Sequence, residues 1–133
     1  MTTTHNTTLV APLSVGELFD KITILRIKSR RITDHAKLAN VNHELQVLER
    51  AAASIPAQEG LLAEIEALLD VNQILWDIED DIRACERAND FSDTFIQLAR
   101  SVYIQNDERA RIKRRINELC GSALVEEKSY AAY

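Results

Sequence analysis

Two long stretches of the chain, residues 58–89 and 92–120, carry apolar residues at helical spacing with little to interrupt them. The whole sequence of 133 residues contains only three glycines and two prolines, and neither proline falls inside these stretches. At 1.5 Å per residue, two helices of this length form a hairpin on the order of 45 Å long. We therefore expect an all-α protein built around one long helical hairpin.

Two shorter helices precede the hairpin. The first begins at a capping box, in which the Ser14 hydroxyl and the Glu17 carboxylate satisfy free backbone amides, and it runs to about Arg31. Asp34 is the predicted N-cap of the second helix, which reaches about Ala53 before a proline breaks the pattern. The sequence thus predicts an antiparallel helical bundle. Its expected parts are a loose arm at 1–13, the bundle at 14–121 and a tail at 122–133.

The lengths of the helices predict a second copy of the chain. Two helices of about 18–20 residues cover only around two-thirds of the length of the long hairpin. The rest of the hairpin's apolar face needs another partner, and the commonest solution among helical proteins is a second copy. We therefore expect a homodimer.

Polar residues interrupt the inward face of both long helices, and they mark the candidate site. The inward register of the third helix passes through Asn72, Glu79 and Glu86, and that of the fourth passes through Gln105 and Arg109. A buried charge is costly unless it is paired or kept for function, so these positions need a partner or a ligand. Folding the chain at residues 90–91 places Arg109 near Asn72.

Two interpretations of this polar region remain open. An arginine that faces amide and indole side chains inside a bundle is suited to hold a carboxylate or a phosphate. It is equally suited to a structural ion pair with Glu79 or with Glu17 of the first helix. The candidate ligand-binding residues are Arg109, Arg83, Glu79, Trp76, Asn72, Glu17, Lys21 and Lys113.

Asp77 and Asp81 form a like-charge pair one helical turn apart, which is unfavourable unless a cation lies nearby. One interpretation is a divalent metal or a cationic partner group, and the other is a solvated acidic face that Arg100 answers across the hairpin. The chain has no HExxH motif, no Gly-rich phosphate loop and no nucleophile elbow. The sequence therefore predicts no metal site and no cofactor, and it leaves open whether the protein is an enzyme.

The composition is that of a soluble globular protein, with 46% hydrophobic and 28% charged residues. A formal net charge of −5 argues against a general nucleic-acid binder, which needs a basic face. No signal peptide is apparent, and no apolar run approaches the roughly 18–20 residues of a membrane span. The two cysteines lack CxxC spacing and are expected to be reduced. We expect a cytoplasmic protein without membrane insertion.

Several stretches of the chain resemble a family of short bacterial all-helical proteins of unknown function. The matching motifs are GELFDKITIL from Gly16, KLANV from Lys37, LWDIEDDIR from Leu75, NDERARIK from Asn106 and EEKSY from Glu126. Members of that family accompany glycosyltransferase and surface-polysaccharide genes, as neighbours or as fused segments. The resemblance implies a helical interaction module that serves a cytoplasmic glycosyltransferase or surface-polysaccharide system. It implies no reaction, cofactor or catalytic residue.

Two weaker likenesses favour a small ligand instead. All-α chorismate mutases hold a dicarboxylate between helices with arginine and lysine side chains. All-α nucleotide pyrophosphohydrolases bind magnesium through carboxylates on two helices, but here the fourth helix offers no companion for the acidic spacing at 77–80. The alternative function is therefore a small all-α enzyme or sensor that binds an anionic metabolite, a phosphate or a dicarboxylate, between the helices.

Overall fold

The computed structural model describes residues 6–133, so the first five residues of the predicted arm lie outside it. It contains four helices, α1 (Val15–Arg31), α2 (His35–Ala52), α3 (Leu61–Arg87) and α4 (Asp93–Cys120). The described part contains no strand, and the predicted fold of one long helical hairpin with two shorter helices is confirmed. None of these four helices is both long and apolar enough to cross a bilayer.

Local chemistry sets the ends of the helices much as the sequence predicts. Ser14 Oγ accepts a hydrogen bond from the amide of Glu17 at 3.1 Å, and Asp34 caps α2 in the same way at 2.9 Å. Gly121 ends α4 with φ at 60°, in the left-handed region that favours glycine. The second half of the predicted capping box does not form, because the Glu17 carboxylate accepts from Lys113 instead.

Three helices, α1, α3 and α4, meet around the core. Ile22 of α1, Leu68 of α3 and Ile116 of α4 have no exposed surface. Of the helices in the described part, only α1 lies close to the α2 backbone, and α2 adds Leu45 and Leu48 to the edge of the core. The core therefore occupies one half of the long hairpin, where the first part of α3 meets the last part of α4.

The other half of the long hairpin extends beyond this core. Arg31, at the end of α1, pairs with Asp77 at 2.5 Å, so the α3 residues after Asp77 lie past the end of α1. Within the described part, the main core cluster contains no residue between Val71 and Ile112. We call residues 78–104 the distal hairpin.

The predicted inward register is wrong in the distal hairpin. The sequence predicts Glu79 and Glu86 on the inner face, but both are exposed, whereas Ile78 and Cys85 are buried. Each buried residue comes one position before the predicted one, so the contact face of α3 has turned by about 100°. The turn comes where α1 ends, and from there α3 no longer packs against two helices at once. The sequence also predicts Leu119, near the end of α4, on the inner face, but this side chain is exposed.

The tail, residues 122–133, has no regular secondary structure and runs back along α4. Glu126 accepts a hydrogen bond from Lys113 at 3.1 Å, and the Tyr133 hydroxyl donates to Asp107 at 2.8 Å. These contacts place the tail along one side of the C-terminal half of α4.

Candidate functional site

The Asn72 side chain joins three helices at the inner end of a cleft. It is 4% exposed. Its amide nitrogen donates to Asp20 Oδ1 at 2.9 Å and to Thr23 Oγ1 at 3.0 Å, both on α1. Its amide oxygen accepts from Arg109 Nη1 of α4 at 3.3 Å. Because a carboxylate can only accept, the nitrogen must face Asp20 and the oxygen must face Arg109.

Arg109 is half-buried, and it forms neither of the ion pairs that the sequence analysis considered. Glu79 pairs with Arg83, and Glu17 accepts from Lys113 at 2.6 Å. Among residues 6–133, no carboxylate lies within 4.0 Å of the Arg109 guanidinium. The guanidinium therefore has one neutral partner, the amide oxygen described above.

The cleft in front of Arg109 has a volume of about 560 Å³ and lies between α1, α3 and α4. That volume falls within the range of ligand-binding pockets. Five of the eight candidate residues line it together, namely Arg109, Asn72, Trp76, Glu79 and Arg83. The sequence analysis did not include the other lining residues, which are Ile24, Ile27, Leu75, Asp80 and Asn106.

The remaining three candidates lie outside the cleft, around Lys113. The Lys113 ammonium is 2.6 Å from Glu17, 3.1 Å from Glu126 and 3.9 Å from Asp20. Lys21 is half-exposed and lies 3.9 Å from Glu17. Three carboxylates surround the Lys113 charge, so Lys113 has a structural role and does not serve the cleft.

The pKa values of Lys113 and Glu126 are shifted in the directions that favour their charged forms. Burial alone would lower the pKa of Lys113, but the hydrogen bond to Glu17, the charge of Asp20 and the bond to Glu126 outweigh it, and the pKa is raised. The hydrogen bond from Lys113 lowers the pKa of Glu126 despite partial burial. The cluster therefore fastens both α1 and the tail to α4.

Asp20 is the residue of this region that the sequence analysis missed. It is 5% exposed and bonds Asn72 in the interior. The available signal is its spacing, because Asp20 shares one side of α1 with Thr23 and Ile27, which are both buried. A carboxylate on a buried helical face requires a partner, and that requirement points to the polar residue on α3.

One member of the acidic pair on α3, Asp77, pairs with α1. It lies 2.5 Å from Arg31, and this hydrogen bond raises the pKa of Arg31. Within residues 6–133, Arg100, which one interpretation set across the hairpin from the acidic face, forms no ion pair with Asp77 or Asp81. The Arg31 guanidinium also lies 5.9 Å from the centroid of a Trp76 ring. Within residues 6–133, no three His, Cys, Asp or Glu side chains gather closely enough to hold a metal ion.

A second cavity, of about 850 Å³, lies between α4 and the tail. Arg109 and Asn106 line both this cavity and the cleft, so Arg109 stands between the two. The tail contributes Lys128, Tyr130 and Tyr133 to its lining. We call it the tail-side cavity.

The comparisons with known proteins give a family but no activity. The model of a family of unknown function, DUF6165, matches residues 9–133. No curated protein and no solved structure matches the chain significantly. The function has to be argued from the site.

Proposed function

The chain belongs to the family of unknown function DUF6165, and we propose that it binds an anionic group, a carboxylate or a phosphate, at Arg109 in the cleft. The observation that carries this proposal is a half-buried guanidinium whose one hydrogen-bond partner among residues 6–133 is a neutral amide. A guanidinium presents five N–H donors in a planar fork, so most of them remain for a ligand. Carboxylates and phosphates supply the paired acceptor oxygens that fit this fork.

The surroundings of Arg109 favour an incoming anion. Glu79, an acidic candidate in the cleft lining, is paired with Arg83. Asp80 is exposed. Asn72 is buried and tied to α1, so it holds the Arg109 side chain in place and reduces the conformational entropy lost on binding. A preorganised charge that is partly shielded from water also forms stronger hydrogen bonds than one in bulk solvent.

Titration with inorganic phosphate and with malonate, followed by thermal shift and calorimetry, tests this function. A ligand at 100 times its dissociation constant should add about 2.7 kcal/mol of stability. Arg109→Met should abolish the gain. Arg100→Met, which changes an exposed arginine of the same helix outside the cleft, should preserve it. A wild-type protein that responds to neither anion, or an Arg109→Met variant that still responds, would contradict the proposal.

A helical interaction module is the second candidate, and the uncovered surface of the distal hairpin favours it. Phe91 is 53% exposed, Ile96 47% and Ile104 42%. Ile96 and Ile104 are eight residues apart, so they share one face of α4. Large apolar side chains in water carry a free-energy cost that a protein partner would remove.

We propose a second copy of the chain as the first occupant of this surface. A component of a bacterial, cytoplasmic glycosyltransfer or surface-polysaccharide system is the further partner that the family resemblance implies. Light scattering should give twice the 15.1 kDa mass of one chain. Joint replacement of Ile96 and Ile104 by Glu should give a monomer, while Leu62→Glu, an exposed change on α3 outside the distal hairpin, should not.

A monomeric wild-type protein would contradict the homodimer. Co-purification from the native host tests the wider role. Repeated recovery of the protein without a glycosyltransferase or related partner would count against this second candidate.

A further inference from the structure

We infer that the ligand held at Arg109 carries a ring next to its anionic group, and that the ring lies in the tail-side cavity against Tyr130. This inference rests on the proposed function and names the class of its ligand. That class is a phosphorylated ring compound, with either an aromatic ring or a sugar ring beside the phosphate.

The position of Arg109 between two cavities carries the first step. An anion bound to its guanidinium would have the cleft of about 560 Å³ on one side and the tail-side cavity of about 850 Å³ on the other. Asn106 also lines both spaces and offers an amide to a hydroxyl group or a ring nitrogen. The larger part of the ligand therefore has room on the side of the tail.

The aromatic residues of the tail-side cavity carry the second step. Tyr103 and Tyr133 pack on each other with ring centroids 5.0 Å apart, and the Tyr133 hydroxyl bonds Asp107. Tyr130 lines the same cavity, is 79% exposed and has no such ring partner among the described residues. A flat ring that stacks on Tyr130 would remove apolar surface of both rings from water.

The charges of the tail-side cavity carry the third step. Lys128 lines it two residues before Tyr130, and no carboxylate of the described chain lies within 4.0 Å of the Lys128 ammonium. Together with Arg109, it places two cations around one space. Two nearby positive charges favour a phosphate dianion over a single carboxylate.

Among the described lining residues the one carboxylate is Asp107, which accepts a hydrogen bond from the Tyr133 hydroxyl. The hydrogen bond from Lys113 lowers the pKa of the Glu126 carboxylate, and the charges of Lys128 and Arg109 lower it further.

The test compares the calorimetric dissociation constants of inorganic phosphate, phenyl phosphate and ribose 5-phosphate at one ionic strength. The last two probes distinguish an aromatic ring from a sugar ring. At least one of them should bind the wild-type protein about tenfold more tightly than inorganic phosphate, as expected for a single stacked ring. Tyr130→Ala should remove that gain and leave the constant for inorganic phosphate within about twofold.

Phe91→Ala is the control, because it removes an exposed aromatic ring that lines neither cavity. It should change no affinity. If ring phosphates bind no more tightly than inorganic phosphate, or if Tyr130→Ala keeps the gain, the inference is overturned and the proposed function stands. If the wild-type protein binds none of the three probes, the proposed function is overturned and the inference with it. Binding of all three probes that is lost in Arg109→Met, together with a gain for ring phosphates that is lost in Tyr130→Ala, supports both.

Discussion

At the scale of single residues, Asn72 decides how the three core helices meet. The nitrogen of its side-chain amide donates to α1, and the oxygen of the same amide accepts from α4. A leucine at this position would fill the space but would leave the buried Asp20 carboxylate without this donor. Buried polar groups without partners cost more than their hydrogen bonds contribute when present, so these residues depend on one another.

Asn72→Asp should lower the free energy of unfolding by about 3 kcal/mol or more, because it replaces a donor to Asp20 with a second buried carboxylate. Urea denaturation at pH 7 measures the loss. Asn106→Asp, a half-buried change on α4 without these partners, should cost much less.

The free energy of unfolding of the Asn72→Asp variant should depend on pH in a defined direction. Two adjacent carboxylates raise the pKa of one of them in the folded state, so the folded variant binds more protons than the unfolded chain. Its loss of stability should therefore shrink as the pH falls. An equal loss at pH 5 and at pH 7 would rule out repulsion between Asp20 and the new carboxylate as the cause.

Arg109→Met should change the free energy of unfolding by only about 1 kcal/mol, because it strands no carboxylate and water in the cleft can reach the Asn72 oxygen. Loss of one partner of a buried ion pair would instead cost roughly 3–5 kcal/mol. Urea denaturation of the variant beside the wild-type protein separates these ranges. A loss in the larger range would make Arg109 a structural residue rather than a ligand-binding one.

The contact between Asn72 and Arg109 is predictable from the sequence, and the contacts of Glu17 are not. The position of the turn in a helical hairpin determines which residues of its two helices lie opposite each other. A turn at residues 90–91 places Asn72 opposite Arg109. Nothing in the sequence fixes how α1 is rotated against the hairpin. The sequence therefore misplaces Glu17 and overlooks Asp20, since both act from α1.

At the scale of elements, α3 is one helix with two environments. Up to Asp77 it runs beside α1 and packs against α4, and beyond Asp77 it continues along α4 past the end of α1. A single heptad register presumes that α3 contacts the same neighbours along its whole length. The predicted inward positions are therefore correct as far as Leu75 and wrong at Glu79. The lengths of the helices were predictable because N-cap residues, Pro56 and Gly121 mark several of their ends. The rotation of the α3 contact face depends instead on where α1 ends.

At Gly16 the backbone of α1 lies close to the backbone of α4. A Cβ at this position would lie 2.5 Å from the backbone oxygen of Lys113 and 3.0 Å from Asn117 Oδ1. The carbonyl belongs to the α4 backbone, and the Asn117 oxygen accepts from the Gly16 amide at 2.7 Å, so neither atom has room to yield. Close packing of two backbones explains the glycine in a helix that would otherwise favour alanine.

Gly16→Ala should lower the free energy of unfolding by about 1–3 kcal/mol through this overlap, despite the better helix propensity of alanine. Thermal or urea denaturation measures it. The control is Ala36→Gly in the exposed first turn of α2. It measures the change in the free energy of unfolding that comes from helix propensity alone, which is at most about 1 kcal/mol. If Gly16→Ala stabilised the protein, α1 and α4 would have to be able to move apart.

At the scale of the whole molecule, Lys113 connects α1, α4 and the tail through Glu17 and Glu126. In the sequence, the tail is distinguished only by the absence of a helical or strand periodicity of apolar residues. The tail's place along α4 depends on charges that come together after the helices have packed, so it was not predictable from local pattern.

Acid should release the tail. The pKa of Glu126 is lowered in the folded protein from its usual value of 4.5, so its contribution to stability is present above that pH and is lost as the pH falls through the folded value. The pKa of Lys113 is raised from 10.5, so its contribution is present below that pH and is lost as the pH rises through the folded value.

An NMR titration of the Glu126 carboxyl group, together with the ring signals of Tyr133, checks the acid side of this window. Both sets of signals should shift together below pH 4.5. Glu126→Gln should remove the part of the Tyr133 response that runs in parallel with the Glu126 carboxyl group. A Glu126 carboxyl group that titrates at 4.5 or above would contradict the prediction.

The distal hairpin lies outside the main core, and this gives the molecule two levels of resistance to opening. A segment packed against a single neighbour opens at a lower free energy than one enclosed by several, so amide hydrogens of residues 78–87 should exchange with solvent faster than those around Leu68. In a Cys120→Ser variant, the buried Cys85 thiol would react with a thiol reagent at the rate of this opening. Equal protection of both regions would show one cooperative unit. Unequal protection would mean that the tip of the hairpin can fray and reform while Asn72 and Arg109 keep the cleft assembled.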